Sequence, residues 1–233
     1  MQKICIVIPC FNEQYRLPLN EFIISYNTSD YFYLFVNDGS KDLTINVLNE
    51  LRKGREDRIF ILDCKENHGK AEAVRKGILT ALELQNFSVI GYLDADLATP
   101  INEIPKIVNH INGEIYFAFG SRIKMIGSKI KRKWYRHIVG RIFATIASKI
   151  LKIGVYDTQC GAKFFDSNIV ENIFSEKFKT KWIFDLELFF RFKMLYKNID
   201  INKIAKEVPL ENWRDIGGSK LKLKNLITVP GNF

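Results

Sequence analysis

The chain has 233 residues, a hydrophobic share of 47% and a formal net charge of +9. That much apolar residue argues against disorder and for a sizeable core, within one α/β domain or a domain with a short appendage. The charge invites an anionic partner: a phosphorylated substrate, an acidic lipid or nucleic acid. Cys5, Cys10, Cys64 and Cys160 form no CxxC pair and no histidine cluster accompanies them, which argues against a zinc site and against a disulfide framework. The amino terminus enters an apolar strand too early for a signal peptide, so the default expectation is a reduced, cytoplasmic setting. The nearest approach to a membrane span, 138–155, is interrupted by Arg141, Lys149 and Lys152.

In chain order, short apolar runs occupy 4–9, 31–36, 59–62, 89–93 and 115–119, each as expected for a strand buried on both faces. Helical patterns fill the gaps, over 43–53 and over 69–84, where Ala73, Ile78, Ala81 and Leu82 recur near helical spacing. The β-α-β order predicts a mostly parallel, doubly wound sheet, and ligands in such sheets bind outside the carboxyl ends of the strands. Polar clusters follow the first four strands: Asn12-Glu13, then Asn37 to Ser40, then Asn67 to Lys70, then Asp94-Ala95-Asp96. Between 115 and 156 there is no Asp or Glu but there are ten Lys/Arg residues. Within that stretch Tyr135, Ile138, Val139, Ile142, Phe143, Ile146, Ala147, Ile150 and Leu151 trace one face of a basic amphipathic helix, opened by Trp134. The pattern is that of a membrane-surface helix or of a core stripe. No repeat or linker appears, which predicts a single domain over 1–233.

Several clusters carry chemistry. Asp94 and Asp96, two residues apart at a strand end, are hard oxygen ligands suited to Mg²⁺ or Mn²⁺ and a substrate diphosphate; on their own they read equally well as turn aspartates before Thr99-Pro100. Asp38-Gly39 is ordinary turn chemistry, or else a carboxylate that reads a nucleobase imide. Gly69-Lys70 opens a helix whose N–H groups and lysine suit phosphate, and is also a common loop-to-helix junction. Arg122 follows a strand at the same edge; with Arg136 and Arg141 it offers forks for phosphate oxygens, or a solvated basic face. Asp185 and Glu187 stand in an apolar run, where they are either general-base candidates or, for Glu187, an i, i+4 partner of Arg191.

In this order the clusters resemble family 2 glycosyltransferases of the nucleotide-diphospho-sugar transferase (GT-A) fold. More narrowly they resemble the polyprenyl-phosphate sugar synthases, the dolichyl-phosphate glucosyltransferases in particular. The matching residues are 9–13, 36–40, Asn67 with Gly69 and Lys70, 94–96, 120–122, 157–161, Trp213-Arg214 and 218–220. The resemblance implies that Pro9, Asn12, Glu13, Asp38, Gly69, Lys70 and Asp94 hold the nucleotide, and that Asp94 and Asp96 hold the diphosphate through Mg²⁺ or Mn²⁺. It implies that Arg122, Arg136, Arg141, Asp157, Gln159, Ser219 and Lys220 hold phosphates of donor and acceptor, with Lys220 closing over the site. The reaction implied is an inverting transfer of a hexose, glucose from a UDP-linked donor, to a polyprenyl phosphate, on the cytoplasmic face of a membrane. The resemblance likewise implies a nucleotide-sugar-binding half over 1–120 and an acceptor-facing, membrane-facing half over 121–233. Three departures stand out: Ala98 where mannosyl relatives carry a glutamine, Gly217-Gly218-Ser219 where Pro-Gly-Ser is frequent, and no carboxyl-terminal membrane helices. Two rival readings remain. One is transfer to a sugar hydroxyl in surface-polysaccharide synthesis, with Asp185 or Glu187 as base; the other is a catalytically silent nucleotide-sugar-binding protein. Nucleic acid is not an expected partner, since no RNA-binding signature interleaves the basic residues.

Overall fold

A computed structural model describes residues 2–131, 145, 148, 149, 151, 153–180 and 183–216. Strands β1 (Ile4–Cys10), β2 (Phe32–Asp38), β3 (Ile59–Cys64) and β4 (Val89–Leu93) alternate with helices α1 (Leu19–Thr28), α2 (Thr44–Arg52) and α3 (Lys70–Leu84). A short helix α4 (Ile104–Val108), begun by Pro105 in its first turn, leads to β5 (Phe117–Ser121) and β6 (Lys129–Lys131). Beyond these come β7 (Ala162–Asp166), α5 (Ser167–Phe174), α6 (Phe184–Leu195), β8 (Ala205–Pro209) and β9 (Asn212–Arg214).

The main sheet runs in the order β3-β2-β1-β4-β7-β5-β8. All its pairings are parallel except those of β7, which lies antiparallel between β4 and β5. Both faces are covered, as parallel sheets require. Ile4, Ile6 and Ile8 of β1 pack with Phe22 of α1, Leu48 of α2 and Ile107 of α4 on one face. Cys5 and Val7, pointing the other way, pack with Val74 of α3, Val170 of α5 and Phe192 of α6. An aromatic cluster fixes α6: the Phe117 ring stacks on Phe165 at 4.6 Å and meets Phe189 and Phe192 at 5.1 and 5.3 Å. Such pairs each add about 0.5–1.5 kcal/mol beyond burial.

A second, two-stranded sheet pairs β6 with β9 in parallel. Ile130 and Trp213 bury one of its faces in the core. The backbone N–H of Arg214 donates to the Ala98 carbonyl at 3.1 Å, which ties this small sheet to the loop after β4. Among the described residues no helix is long and apolar enough to cross a membrane. Of the predicted helix around 135–151, only Thr145, Ser148, Lys149 and Leu151 are described, and Leu151 lies in the core beside Phe189 and Phe192. At that position the apolar stripe is core. The rest of the predicted helix falls outside the described residues.

Candidate functional site

The carboxyl ends of β1 to β4 share one edge of the sheet, and their polar loops are laced together there. Pro9 stands within β1, in register with Val36. Just beyond the strand, Asn12 adopts a left-handed backbone (φ 52°). Its N–H donates to Ser40 Oγ and its side-chain oxygen accepts from the Lys41 N–H. The Glu13 N–H donates to Thr44 Oγ1 at 2.8 Å. At Gly39 φ is +63°, and a Cβ there would lie 2.4 Å from the Glu66 carbonyl carbon, so only glycine lets β2 turn against the 66–69 loop.

Asp38, 3% exposed, organises that loop. Its carboxylate accepts from the backbone N–H groups of His68 (3.0 Å) and Gly69 (2.8 Å) and from the Asn67 amide (3.0 Å). Gly69 is the N-cap of α3, so Asp38 fixes the angle at which α3 presents its first residue, Lys70. The carboxylate expected to read a base is therefore the clamp of the helix start beside it.

Lys70 forms an ion pair with Asp94 Oδ1. Burial works to lower the Lys70 pKa, and the charges of Asp94, Asp185 and Asp96 more than offset it, so the ammonium is held above its ordinary value. Asp94 can stand there because residue 161 is glycine: a Cβ would lie 2.0 Å from Asp94 Oδ2. The Asp94 N–H donates to the Gly161 carbonyl at 3.2 Å, so β4 and the start of β7 hold this carboxylate jointly. Asp96 accepts from the Ala98 N–H at 3.0 Å, and burial first, then the Asp94 charge, pushes its carboxyl pKa up. Two carboxylates crowded in this way are a seat that a divalent cation would relieve. Among the described residues no group of three or more His, Cys, Asp or Glu gathers to hold a metal unaided. Two hard oxygen donors completed by a diphosphate fit Mg²⁺ or Mn²⁺ chemistry.

Just beyond β5, Arg122 grips Asp157 in bidentate fashion, Nε to Oδ2 at 2.6 Å and Nη2 to Oδ1 at 2.7 Å. Burial opposes the Arg122 charge, and the Asp157 carboxylate outweighs it, so the guanidinium pKa is raised. The Trp213 ring lies 5.4 Å from the same guanidinium. Glu207 on β8 accepts from the N–H groups of Tyr156 and Asp157, both at 2.8 Å, and burial raises its carboxyl pKa. Arg122 and Asp157, each expected to face a phosphate, face each other. Two atoms of the same loop, Thr158 Oγ1 and Gln159 Nε2, are buried without a hydrogen-bond partner among the described residues. Gln159 therefore has an amide donor to offer a ligand.

Behind Asp94 lies a buried network of which the sequence singled out Asp185 alone. Lys163, with no exposed side-chain surface, donates to Asp185 Oδ1 and to the Cys160 carbonyl, both at 2.5 Å. The Tyr92 hydroxyl donates to the same Asp185 oxygen at 2.5 Å, and burial followed by the Asp185 charge raises the Tyr92 pKa well above its ordinary value. The one signal for Lys163 was a lysine inside the apolar run 162–165. The Glu187 carboxylate accepts from the N–H groups of Lys179 and Thr180, from Thr180 Oγ1 and from Arg191. Of its two readings, the i, i+4 partner of Arg191 is the one these contacts describe. Arg136, Arg141, Ser219 and Lys220 lie outside the described residues.

Residues 5–174 match the family model for glycosyl transferase family 2. The dolichyl-phosphate beta-glucosyltransferase of Dictyostelium discoideum is 32% identical over 232 residues, covering 93% of this chain and 68% of that protein. The Homo sapiens dolichyl-phosphate beta-glucosyltransferase is 30% identical over 237 residues, covering 94% and 70%. Among solved structures, mannosyl-3-phosphoglycerate synthase from Rubrobacter xylanophilus superposes with a TM-score of 0.67 at 13% identity, over 97% of this chain and 69% of that one. Glucosyl-3-phosphoglycerate synthase from Mycobacterium tuberculosis, in complex with Mn²⁺, uridine diphosphate and glucosyl-3-phosphoglycerate, does so with a TM-score of 0.63 at 13% identity, over 97% and 75%. At such identity these two speak for the fold alone.

Proposed function

This chain belongs to glycosyl transferase family 2, and on that premise we propose that it transfers glucose from UDP-glucose to a polyprenyl phosphate, with inversion, at a site centred on Asp94 and Asp96. The observation that carries the reading is one sheet edge bearing paired carboxylates at Asp94 and Asp96, with Lys70 against the first of them. The printed names of the relatives support glucose and a dolichyl-type acceptor. The Mn²⁺ and uridine diphosphate in a structural neighbour support a divalent cation at the aspartates and a uridine donor.

Each side chain has a part in this proposal. The 12–13 and 38–40 loops form the nucleotide's seat, and Asp38 fixes the start of α3 beneath the diphosphate. Asp94 and Asp96 would hold Mg²⁺ or Mn²⁺. When bound, the cation neutralises charge developing on the leaving diphosphate, the largest catalytic need of such a transfer. Lys70 turns its ammonium toward the same oxygens. Arg122, held by Asp157 and backed by Trp213, faces the acceptor phosphate, and Gln159 Nε2 offers it a hydrogen bond.

A phosphate acceptor arrives ionised and needs no general base. That requirement favours it over a sugar hydroxyl, because Asp185 is engaged by Lys163 and Tyr92 and Glu187 by its own four donors. In the same proposal the chain is one glycosyltransferase unit. Its donor half reaches to about residue 120, its acceptor half follows, and it works as a peripheral protein on the cytoplasmic face of a membrane.

The test is to incubate the protein with UDP-glucose, Mg²⁺ or Mn²⁺ and a short polyprenyl phosphate, and to follow lipid-linked glucose and released UDP. Asp96→Ala and excess chelator are both expected to abolish transfer. Full activity under either condition would refute the metal assignment, and transfer only to a sugar hydroxyl would refute the acceptor.

A further inference from the structure

The turn that joins β5 to β6 presents apolar side chains to solvent beside the candidate site. Ile126 is fully exposed at its tip, and Met125 next to it is 48% exposed. The turn is well defined. Gly127 takes φ +86°, Ser128 Oγ donates to the Met125 carbonyl at 2.8 Å, and the Met125 N–H donates to Ser128 Oγ at 2.9 Å. Its base is anchored as well. The Leu210 N–H donates to the Ser121 carbonyl, and the Lys129 N–H to the Glu211 carbonyl. Behind it, Ile130 and Trp213 are buried in the core.

Lys124, Lys129 and Lys131 are exposed around this tip. Among the acidic residues beside this segment, Asp157 is paired with Arg122 and Glu211 with Lys106, and the Asp215 N–H donates to the Lys131 carbonyl. An apolar tip inside a ring of lysines is complementary to the surface of an anionic bilayer. The lysines meet the head groups while Ile126 and Met125 pass between them. The same segment begins at Arg122, so whatever holds the tip also sets the height of that guanidinium above the lipid surface.

We propose that residues 124–129 are a membrane-dipping finger, with Met125 and Ile126 entering an anionic phospholipid bilayer so that the Arg122–Asp157 pair stands at the head-group level where a lipid phosphate arrives. The placement of Arg122 rests on the acceptor proposed above; the insertion itself does not. Ile126→Asp and Met125→Asp place a charge where an apolar side chain is to be buried. Each is expected to weaken binding by about tenfold or more, the scale of losing one such burial.

The experiment uses the full chain and vesicles of phosphatidylcholine with or without phosphatidylglycerol. Co-sedimentation of the unaltered protein is expected to require phosphatidylglycerol and to fall with salt, and both Asp variants are expected to lose it. In Ile126→Trp, the added indole is expected to shift its emission to the blue on adding anionic vesicles. Transfer to polyprenyl phosphate embedded in vesicles should fall in the Asp variants, while transfer to a short, water-soluble acceptor stays unchanged. Unimpaired sedimentation of the variants, no vesicle binding by the unaltered protein, or an indole that stays in water would each overturn the finger. So would a dimer that Ile126→Asp dissociates, since the tip would then be a contact between copies. Normal vesicle insertion without transfer to either acceptor would refute the acceptor assignment and leave the finger standing.

Discussion

Lys163→Met removes the cation that is hydrogen-bonded to Asp185 in the network behind Asp94. In the native fold one carboxylate oxygen receives the ammonium and the Tyr92 hydroxyl at 2.5 Å each, and the ammonium also satisfies the Cys160 carbonyl. The lysine side chain has no exposed surface and that of Asp185 has 8%, so water does not take the place of the missing partner. The variant keeps the volume of the side chain and strands a carboxylate in a low-dielectric site with a single phenolic donor. Breaking a buried pair from one side costs about 3–5 kcal/mol, a large share of a typical folding free energy. Asp185→Asn in the Lys163→Met background removes the stranded charge and leaves an amide oxygen for Tyr92. The double variant is therefore expected to be more stable than Lys163→Met alone. Urea unfolding with linear extrapolation, run on both singles and the double, measures the coupling. A Lys163→Met loss below about 1 kcal/mol, or a double variant whose loss equals the sum of the singles, would refute the reasoning about the buried charge.

Three further predictions follow from individual contacts. Asp38→Ala leaves the N–H groups of His68 and Gly69 and the Asn67 amide without their acceptor; UDP affinity is expected to weaken by about 1–3 kcal/mol, and an unchanged calorimetric affinity would contradict the clamp. Gly161→Ala drives a methyl into Asp94; with an overpacking cost of about 1–3 kcal/mol the chain should still fold, and turnover should collapse, so that unaltered turnover would speak against Asp94. Glu207 is a group whose folded pKa is raised by burial, so its favourable contribution is complete below the unfolded carboxyl value and is lost as pH rises through the folded one. The stability of Glu207→Gln relative to the unaltered protein should accordingly improve as pH rises from about 4 to neutrality, and a flat or opposite trend in unfolding experiments would dispose of the raised pKa.

What the sequence could show depended on whether a feature was local. The first four strands were legible because each is a short apolar run followed by a polar cluster, and the observed β4, 89–93, agrees residue for residue with the expected run. Elsewhere the ends moved outward. β2 continues through Asn37 and Asp38, because the ladder to Asp63 and Cys64 depends on backbone groups and is indifferent to the polarity above it. The insertion of β7 between β4 and β5 in the opposite direction was illegible, since the five residues 162–166 carry no mark of their partners. The same limit governs the site. The Glu187–Arg191 pair follows from helical spacing and was foreseen as one of two readings. The pairing of Arg122 with Asp157, and of Lys163 with Asp185, joins residues 35 and 22 positions apart and exists only after the sheet has formed.

The cation–carboxylate pairs of Lys163, Arg122 and Lys70 stand at or behind this edge of the sheet, and their accessibility separates their tasks. Lys163 has no exposed side-chain surface, Arg122 has 14% and Lys70 has 35%. A pair with no access cannot exchange its partner for a ligand, so Lys163 and Asp185 hold the wall behind β4. Arg122 reaches solvent at its margin while Asp157 holds Nε and Nη2, an arrangement that aims a guanidinium rather than releasing it. Lys70 is the exchangeable one. If Asp94 gives its oxygen to a metal, the ammonium loses one anion and gains another in the diphosphate that accompanies the metal, and the count of paired charges is kept. On the proposed reaction, the electrostatic cost of assembling charge at the site is met during folding, and donor binding replaces partners within a field already in place.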